Sequence, residues 1–600
     1  MPPRTVFSVL EETASKHGDK AALHQPLGGK QSEYRSFTWN EWLLTSREIA
    51  LGLRALGLKK GDLACILSET RAEFYLVDLG IMGAGGVAAA LYTSNPMPEL
   101  AKNVRAAQAA FFFVEDAKTL AAIAAALDGV LPAQVILLDG AAAGAIALDA
   151  LRQRGRELEA KQPGVFDAMR EELTPSDPAV LYLTSGATGE PKMGLTSHAA
   201  ILANIDMAPA VLPIGPDDST IVFLPSAHIA QRVVLEFVPM LMGTPVWFSE
   251  SLAKLPSELR RVRPTFFLAP PRVWERMYAT ICTEAGKRPA VAKKLFYGAL
   301  GLGMEAQRLH LEGKPLPGWM SAALKLADRL VFSKVKARLG GRLRIAACGA
   351  APLGKDLAEF FAAMGVPLVE GFGLTEAGVL ALNPLNRSKP GSIGKLLPGV
   401  EARIAEDGEL LVRTPCLFMG YYQDEAATRS VFTPDGWFAT GDIAEVDEEG
   451  YYYITGRKKE LIVSSNGKKI YPARIENLFK MEPVVNQILL IGDKQPYVTA
   501  LLTLNFNQVR ALKGMEGLAD KPAAQLIEAL PVVAAVQGAV SRVNKQLADF
   551  ERIRRYRVLD RDFSIEQGEL TPTMKIRRGK VLENHRATIS ELYLGRGESA

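Results

Sequence analysis

Hydroxyl, glycine and lysine residues lie close together in residues 184–192, which read Thr-Ser-Gly-Ala-Thr-Gly-Glu-Pro-Lys. The apolar run 179–183 precedes them and is typical of a buried strand. Glycines let a backbone turn several N–H groups toward one point, and hydroxyl and ammonium groups add donors, so the stretch suits a polyphosphate. Gly189 and Gly194 have Walker A spacing, but Leu195 stands where that motif needs lysine. On composition alone, an ordinary loop fits equally well.

A second group, residues 371–376, reads Gly-Phe-Gly-Leu-Thr-Glu and is predicted as a loop after a strand at 366–370. The ring of Phe372 between two glycines allows a flat base to lie against ring and backbone together. Thr375 beside a carboxylate suits a hydrated Mg²⁺ that bridges phosphates. Glu376 excludes the dinucleotide fingerprint, which needs glycine at that position. The stretch therefore suits a purine nucleotide with its metal.

Two single polar residues and one basic run are further candidates for ligand binding. Asp442 follows Thr-Gly and is predicted on a turn, where its carboxylate can accept both hydroxyls of a ribose. Aspartate is also common in turns for purely structural reasons. His228 follows a predicted strand at 221–225, at the edge where α/β sheets place ligands, and a structural histidine fits there equally well. The basic run 456–460 is by itself typical of a solvated face.

Length and composition limit the class of protein. Six hundred residues imply more than one domain, and 48% hydrophobic with 23% charged residues is typical of a soluble globular protein. A net charge of +4 is too small to indicate a nucleic-acid partner. Four separated cysteines without a C-x-x-C pair indicate a reducing cytoplasm and no zinc site of that type. Residues 1–19 do not resemble a signal peptide, and the glycine-rich apolar run 76–92 predicts a buried helix and strand.

Strands and helices alternate along the chain, which predicts a parallel sheet with helices on both faces. The predicted strands include 63–67, 86–91, 110–114, 134–138, 221–225, 343–347 and 366–370. The predicted helices include 6–16, 39–56, 71–82, 117–127, 141–151, one from Pro352 to Gly365, and one over 320–339 that two glycines close. The helix over 320–339 has an apolar and a basic face, which fits a surface helix or contact with anionic lipid or phosphate groups.

Taken together, these stretches resemble the motifs of the adenylate-forming enzymes, the superfamily of acyl-CoA synthetases, luciferases and adenylation domains. Residues 182–197 resemble the phosphate loop. Residues 371–376 resemble the adenine and magnesium motif, with Phe in place of the commoner Tyr, and 440–442 resemble the ribose element. Residues 571–576 contain Pro-Thr-Met-Lys where the common form is Pro-Thr-Gly-Lys. Residues 270–275, Pro-Pro-Arg-Val-Trp-Glu, resemble a local signature of long-chain acyl-CoA synthetases.

The resemblance implies an α/β fold with a large N-terminal domain, 1–456, of parallel-type sheets covered by helices plus a β subdomain. A hinge at 457–460 and a small mobile α+β catalytic domain at 461–600 are implied to follow. The implied enzyme converts a long-chain fatty acid, with Mg²⁺ and ATP, to acyl-adenylate and pyrophosphate, and then transfers the acyl group to coenzyme A. From residues 270–275, the Pro-Thr-Met-Lys ending and the absence of a charged signature for a polar acid, we expect a saturated or monounsaturated acid of roughly twelve to eighteen carbons. Each buried methylene contributes about 0.8 kcal/mol, which is enough to separate long from short acids. A cytoplasmic location is expected, while peripheral membrane contact and a dimer are left open.

Site residues follow from the same resemblance. Lys575 is the implied catalytic lysine, which stabilises charge on the carboxylate and α-phosphate as they react. Thr184 and Glu376 are the implied ligands of Mg²⁺, and Lys459 is the implied pivot of the hinge. His228 and Gly467 are implied to border the path of the acyl group and CoA. The implied nucleotide contacts are Ser185, Gly186, Thr188, Gly189 and Lys192 for the phosphates, Ala350, Gly371, Phe372 and Thr375 for adenine, and Asp442 and Arg457 for ribose.

Other functions stay open from the sequence. One is an acyl-AMP ligase that loads a carrier protein in trans, and another is a CoA ligase for medium-chain or aryl acids. A relative that binds nucleotide or lipid without turnover is disfavoured by the intact Lys575, Glu376 and Asp442. Pyrophosphate release with and without CoA distinguishes the CoA ligase, the carrier-loading enzyme and the non-catalytic relative.

Overall fold

The computed structural model describes residues 3–28, 33–185, 191–594 and 598–599. Within these ranges the strands form two large sheets and three smaller ones, with helices packed around them. The two large sheets combine mostly parallel strands with antiparallel edges, and the last part of the chain forms a smaller α+β unit. This arrangement confirms the α/β class predicted from the alternation of strands and helices.

The first large sheet is built mainly from residues 63–197. Its central strands are parallel, and Leu63–Leu67 is buried along its whole length, as expected of a strand covered on both faces. In spatial order the strands are Gly420–Tyr421, Pro191–Ser197, Pro178–Ser185, Val87–Ala90, Leu63–Leu67, Phe111–Val114, Gln134–Leu137 and Ile146–Ala147. The helices of this part are Val6–His17, Trp39–Ala55, Ala72–Gly83, Met97–Ala107, Ala117–Ala126, Leu148–Lys161 and Val165–Glu171.

The second large sheet has a parallel centre and antiparallel hairpins at both edges. In spatial order its strands are Lys395–Leu396, Gly378–Leu382, Leu368–Leu374, Ile345–Cys348, Phe266–Ala269, Thr220–Val222, Val246–Phe248, Ala21–Pro26 and Tyr34–Thr38. The helices are His198–Asp206, Ala208–Val211, Gln231–Phe237, Val238–Met242, Leu255–Val262, Pro271–Gly286, Ala290–Leu311, Gly318–Ala327, Asp328–Phe332, Ser333–Lys336, Ala337–Leu339 and Lys355–Ala363. Gln231–Phe237 and Asp328–Phe332 are π-helical, and Ala337–Leu339 is a 3₁₀ turn.

An antiparallel sheet and a smaller α+β unit complete the chain. The antiparallel sheet contains Glu401–Ile404, Glu409–Arg413, Phe438–Val446 and Tyr452–Arg457, with helix Glu425–Ser430 beside it. The α+β unit contains the pair Ile462–Val463 and Lys469–Ile470 and a sheet of Val485–Ile491, Val498–Leu504, Ile553–Val558 and Glu598–Ser599. The short helix Lys458–Glu460 precedes this unit. The helices of the unit are Pro472–Leu478, Phe479–Met481, Phe506–Arg510, Ala523–Leu526, Leu530–Asn544, Asp549–Glu551, Arg578–Asn584 and Arg586–Tyr593.

The apolar run 76–92 is buried inside the protein, as predicted. It forms most of helix Ala72–Gly83, which is buried on all sides, and the whole of strand Val87–Ala90. Among the described residues, no helix combines the length and the apolar character that crossing a bilayer requires.

The prediction of a helix over 141–151 is wrong in its first half. Residues 146–147 pair with strand Gln134–Leu137, and the helix begins only at Leu148. The high helix propensity of alanine is a weak preference, which a pairing with a neighbouring strand overrides.

The helix predicted to start at Pro352 starts three residues later. Gly354, with φ of 94°, stands at its N-terminal cap, and the helix runs from Lys355 to Ala363. The carbonyl oxygen of Pro352 instead accepts a hydrogen bond from the Lys480 ammonium group of the α+β unit.

Two motifs predicted as a loop and a turn lie in strands. Residues 371–374 continue strand Leu368–Leu374 and pair antiparallel with Gly378–Leu382. Asp442 lies in strand Phe438–Val446, opposite Arg457. Glycine-containing stretches suggest loops locally, but pairing with a neighbouring strand decides their conformation.

Candidate active site

A cleft of about 3210 Å³ lies between the large sheets and the C-terminal α+β unit. Side chains from distant parts of the sequence line it, and most of the residues singled out from the sequence are among them. The predicted residues that line the cleft are Lys192, His228, Ala350, Gly371, Phe372, Thr375, Glu376, Asp442, Arg457, Lys459 and Lys575. The structure thus brings together residues that are up to 383 positions apart, from Lys192 to Lys575.

Asp442 and Arg457 form an ion pair on adjacent strands. Arg457 Nε lies 2.9 Å from Asp442 Oδ1, and Asp442 is only 2% exposed. Burial raises the pKa of the Asp442 carboxyl to about 6, against the opposing effect of the Arg457 charge. Asp442 Oδ2 is buried and accepts no hydrogen bond from the described residues. An unsatisfied buried acceptor is unfavourable, so this oxygen is suited to receive a ligand hydroxyl group.

Lys575 enters the cleft from a tight turn of the α+β unit. The Lys575 N–H donates to Thr571 Oγ1 at 3.0 Å, and the Thr571 N–H donates to the Lys575 carbonyl at 2.8 Å. The side chain is exposed to the interior of the cleft, which protein encloses. This enclosure lowers the pKa of Lys575 to about 8, and the Arg457 charge acts in the same direction. The negative charges of Asp442, Glu376 and Glu460 oppose this lowering of the pKa.

Tyr421 links two of the predicted residues. Its hydroxyl group donates to Glu376 Oε1 at 2.7 Å, and Lys192 Nζ lies 4.6 Å from the centre of its ring. Burial raises the pKa of Tyr421, and the adjacent Glu376 carboxylate raises it further, so the phenol stays protonated. Tyr421 belongs to none of the predicted motifs, and its only local signal in the sequence is an aromatic pair after glycine at 420–422.

The strand and turn predicted to hold adenine have restricted backbones. Ala350 has φ of 70°, a conformation that non-glycine residues seldom adopt. A Cβ atom on Gly373 would lie 2.5 Å from the Gly378 carbonyl oxygen, so the hairpin requires glycine there. Phe372 is partly exposed, and its neighbour Gly371 also lines the cleft. A flat ring and open backbone therefore border the cleft at this point.

His228 stands between the cleft and a smaller apolar cavity of about 110 Å³. Burial lowers the pKa of His228 to about 3, and the Lys575 charge acts in the same direction, so the imidazole is neutral. Its Nδ1 accepts a hydrogen bond from the Ala230 N–H at 3.1 Å, which places the proton on Nε2. The cavity is lined chiefly by aliphatic side chains, among them Val233, Val238 and Leu268.

The structure describes the predicted phosphate loop only in part, while Lys459, which lines the cleft, and Gly467 lie within the described residues. Gly186, Thr188 and Gly189 lie outside the described residues, and Thr184 and Ser185 end strand Pro178–Ser185. Lys459 is exposed in the short helix Lys458–Glu460. Gly467 has φ of 73° in an exposed turn and is not among the residues that line the cleft.

A metal at this site would depend on few protein ligands. In the described part of the chain, no three His, Cys, Asp or Glu side chains converge as a metal site. Only Oε1 of Glu376 accepts a hydrogen bond from the described residues, which leaves Oε2 for a hard cation. A single carboxylate fits a cation that arrives with phosphate groups rather than one held by the protein alone.

Comparison with known proteins identifies close parallels for the whole chain. The sequence model "AMP-binding enzyme" matches residues 10–422, and "AMP-binding enzyme C-terminal domain" matches residues 459–596. The chain is 35% identical over 554 residues to "Long-chain-fatty-acid--CoA ligase FadD15" of Mycobacterium bovis, covering 91% of this chain and 90% of that protein. It is 29% identical over 649 residues to "Long-chain-fatty-acid--CoA ligase ACSBG2" of Xenopus laevis, covering 100% and 85%.

The fold also matches a solved structure. The adenylation domain of a carboxylate reductase from Mycobacterium chelonae superimposes with a TM-score of 0.75 at 21% identity, covering 99% of this chain and 92% of that one. At this identity the likeness is one of fold.

Proposed function

The chain belongs to the AMP-binding enzyme family, and on that premise we propose that it is a long-chain fatty acid–CoA ligase that forms AMP. The names of the mycobacterial and frog relatives support this reaction class. The observation that carries the proposal is the buried, unsatisfied Oδ2 of Asp442 beside Arg457, with Lys575 entering the same cleft. This arrangement suits a ribose hydroxyl next to a reacting phosphate.

In the first half-reaction, a carboxylate oxygen of the acid attacks the α-phosphorus of ATP and the bond to pyrophosphate breaks. Asp442 holds the ribose, and the Lys575 ammonium group stabilises negative charge on the carboxylate and the α-phosphate. Glu376 and Thr184 would hold the Mg²⁺ that arrives with ATP, which neutralises phosphate charge when bound. Ser185, Gly186, Thr188, Gly189 and Lys192 are proposed phosphate contacts, and Ala350, Gly371, Phe372 and Thr375 are proposed adenine contacts.

In the second half-reaction, the CoA sulfur attacks the acyl carbon, the bond to AMP breaks and the thiol loses its proton. We propose that the α+β unit, about 461–600, first rotates about Lys459 within a hinge at 457–460. That rotation removes Lys575 and brings the turn with Gly467 toward His228. Neutral His228 borders the acyl cavity without adding charge to it.

Polar contacts hold the α+β unit in its present position, which supports a reversible docking. Arg272 Nη1 donates to the Asn486 carbonyl at 2.6 Å, and Lys480 Nζ lies 3.5 Å from Glu275 Oε1. Interfaces of this polar kind between domains generally permit relative motion. Arg272 and Glu275 belong to the Pro-Pro-Arg-Val-Trp-Glu stretch, and we propose that they dock the unit during adenylation.

A second candidate, a CoA ligase for medium-chain or aryl acids, is favoured by the size of the cavity behind His228. A dry cavity of about 150 Å³ holds one benzene molecule. The cavity of about 110 Å³ therefore accommodates only the first few carbons of an acid as it stands. A long chain requires the apolar wall around Val238 to move outward.

Initial AMP release tests the proposal. We would measure it with Mg·ATP, with and without CoA, for straight acids from acetate to eicosanoate and for coumarate. For the proposed enzyme, kcat/KM rises about fourfold per methylene, from about 0.8 kcal/mol each, and AMP release depends on CoA. A maximum at short or aryl acids would replace the long-chain assignment with the second candidate. A long-chain profile indifferent to CoA would indicate an acyl-AMP ligase that loads a carrier protein.

A further inference from the structure

The chain carries an unusual concentration of exposed apolar side chains in one segment. Eight of the 22 large apolar side chains that are exposed among the described residues lie between Val291 and Leu330. Trp319 is 66% exposed, Leu326 is 58% exposed and Val291 is 80% exposed. A run of forty residues thus holds more than a third of these side chains, and such a concentration of exposed apolar side chains is typical of interaction surfaces.

Six of the eight side chains project from two helices that pack against each other, while Leu316 lies between these helices and Leu330 lies in the segment Asp328–Phe332. Helix Ala290–Leu311 buries Phe296, Ala299, Leu300, Gly303 and Ala306 against the core, so its other side faces outward. Helix Gly318–Ala327 buries Met320 and Ala327, while its outward side carries Trp319 and Leu326, and Leu330 follows in the next turn. We call this outward surface, with Val291, Leu295, Tyr297, Met304, Leu316, Trp319, Leu326 and Leu330, the exposed apolar face.

The same segment holds the positive charge of the protein. Residues 287–338 contain eleven Lys and Arg against three Asp and Glu, a formal charge of +8. The whole chain carries only +4, so the remainder is net negative.

The acids of the segment are already neutralised. Glu305 and Glu312 pair with Arg308, and Asp328 pairs with Lys336. Two further basic side chains are paired, Lys314 with Glu312 and Arg338 with Glu284. The remaining seven are exposed and form no ion pair within the described ranges of the chain: Lys287, Arg288, Lys293, Lys294, Lys325, Arg329 and Lys334.

From this combination we propose that the exposed apolar face docks the protein onto a membrane surface rich in anionic lipid. Trp and Leu side chains enter the boundary between headgroups and acyl chains, and flanking Lys and Arg side chains reach the lipid phosphates. Lys325 and Arg329 directly precede Leu326 and Leu330, so the basic pair flanks the apolar pair at about 100° around the helix. From this position their aliphatic stems can cover apolar surface while the charges stay in the headgroup layer. An acidic protein partner would match the charge but would not account for so many dispersed apolar side chains.

The end of this segment borders the cleft. Val335, Arg338 and Leu339 line the cleft, and they follow directly on Leu330 along the chain. A membrane held against the exposed apolar face would therefore lie close to one entrance for an apolar substrate. The docking itself rests on the surface residues and not on the proposed ligase reaction.

Vesicle flotation of the full-length protein, without ATP, acid or CoA, tests the docking. We expect binding to vesicles of phosphatidylcholine with phosphatidylglycerol, weaker binding to phosphatidylcholine alone, and loss of binding at high salt. Each Lys or Arg near an anionic surface contributes about fivefold, so Lys325→Glu with Arg329→Glu should lower the partition coefficient at least about 25-fold. Trp319→Ser with Leu326→Ser should lower it at least about tenfold, because both side chains leave water on binding.

Control substitutions on the α+β unit show whether an effect on vesicle binding is specific to the exposed apolar face. Leu530 is 83% exposed on the α+β unit, and Lys513 and Lys545 are exposed there too. Leu530→Ser, and Lys513→Glu with Lys545→Glu, should leave vesicle binding unchanged. The blue shift of tryptophan fluorescence on binding should disappear in Trp319→Phe. AMP release with a water-soluble acid should be unchanged in all variants.

Three results would overturn the proposal. One is wild-type protein that ignores anionic vesicles, and another is vesicle binding that both double variants of the face leave intact. The third is a dimer, seen by light scattering without lipid, that Trp319→Ser with Leu326→Ser dissociates, since the face would then bind a second copy. Because no substrate is present, none of these results depends on whether the ligase proposal is correct.

Discussion

Removing the Tyr421 hydroxyl group tests whether this residue positions the Glu376 carboxylate. Tyr421→Phe deletes the donor at 2.7 Å from Glu376 Oε1 and keeps the ring that faces Lys192. A hydrogen bond to a charged group contributes about 1.5–3 kcal/mol, and Glu376 faces an open cleft, so we take the lower end. That energy corresponds to about a tenfold loss in the rate of adenylate formation.

The assay is acid-dependent exchange between ATP and pyrophosphate, measured across a Mg²⁺ titration. Tyr421→Phe should slow the exchange and raise the Mg²⁺ concentration for half-maximal rate, while thioester formation from supplied acyl-adenylate and CoA stays normal. Tyr422→Phe makes the same change at a neighbouring residue that does not line the cleft, and it should match the wild type. Exchange in Tyr421→Phe at the wild-type rate with the wild-type Mg²⁺ requirement would refute the positioning role.

Four further changes probe the cleft. Lys575→Ala should reduce adenylate formation by at least about 10²-fold, as for one lost electrostatic stabiliser, and spare thioester formation from supplied acyl-adenylate; equal losses in both assays would contradict its role. Lys459→Pro fixes φ and should spare pyrophosphate exchange while blocking thioester formation, and normal thioester formation would remove Lys459 from the hinge. Glu376→Gln should raise the Mg²⁺ requirement, and a wild-type titration curve would show that Glu376 is not a ligand. Adenylate formation should fall below about pH 6, where Asp442 takes up its proton, and above about pH 8, where Lys575 loses its own; Lys575→Arg should move only the alkaline limb.

The parallel core was predictable because its strands are buried on both faces. Such strands read as short apolar runs, and Leu63–Leu67 was predicted with its observed ends. The helix over 320–339 was also predicted in outline, and Met320, Ala327 and Leu339 are buried on its inner side. The exposed Leu326 and Leu330 were not predicted, because the prediction followed one apolar face and took the opposite side of the helix as basic.

The sequence could predict which residues meet in the cleft only where those residues belong to a recognisable motif. The resemblance named Asp442, Arg457 and Lys575, and the structure places all three in one cleft. Tyr421 had no motif of its own, since its contact with Glu376 joins residues 45 positions apart through tertiary packing. The contacts of Arg272 and Lys480 depend on how the α+β unit docks, which no local pattern encodes.

Met574, which departs from the common form of the motif, is compatible with the turn that positions Lys575. Met574 stands where the common form has glycine, and its φ is 64°, a conformation that disfavours side chains by about 1–2 kcal/mol. The turn persists because Thr571 makes four hydrogen bonds within it. Its carbonyl accepts from the Met574 N–H at 2.8 Å, its N–H donates to the Lys575 carbonyl at 2.8 Å, and its Oγ1 accepts from the Lys575 N–H at 3.0 Å and bonds the Thr573 hydroxyl group at 3.0 Å. The direction of Lys575 is therefore set by the backbone of the turn and by Thr571. Glycine at position 574 would remove strain without changing that direction, which explains why methionine is compatible with a lysine that enters the cleft.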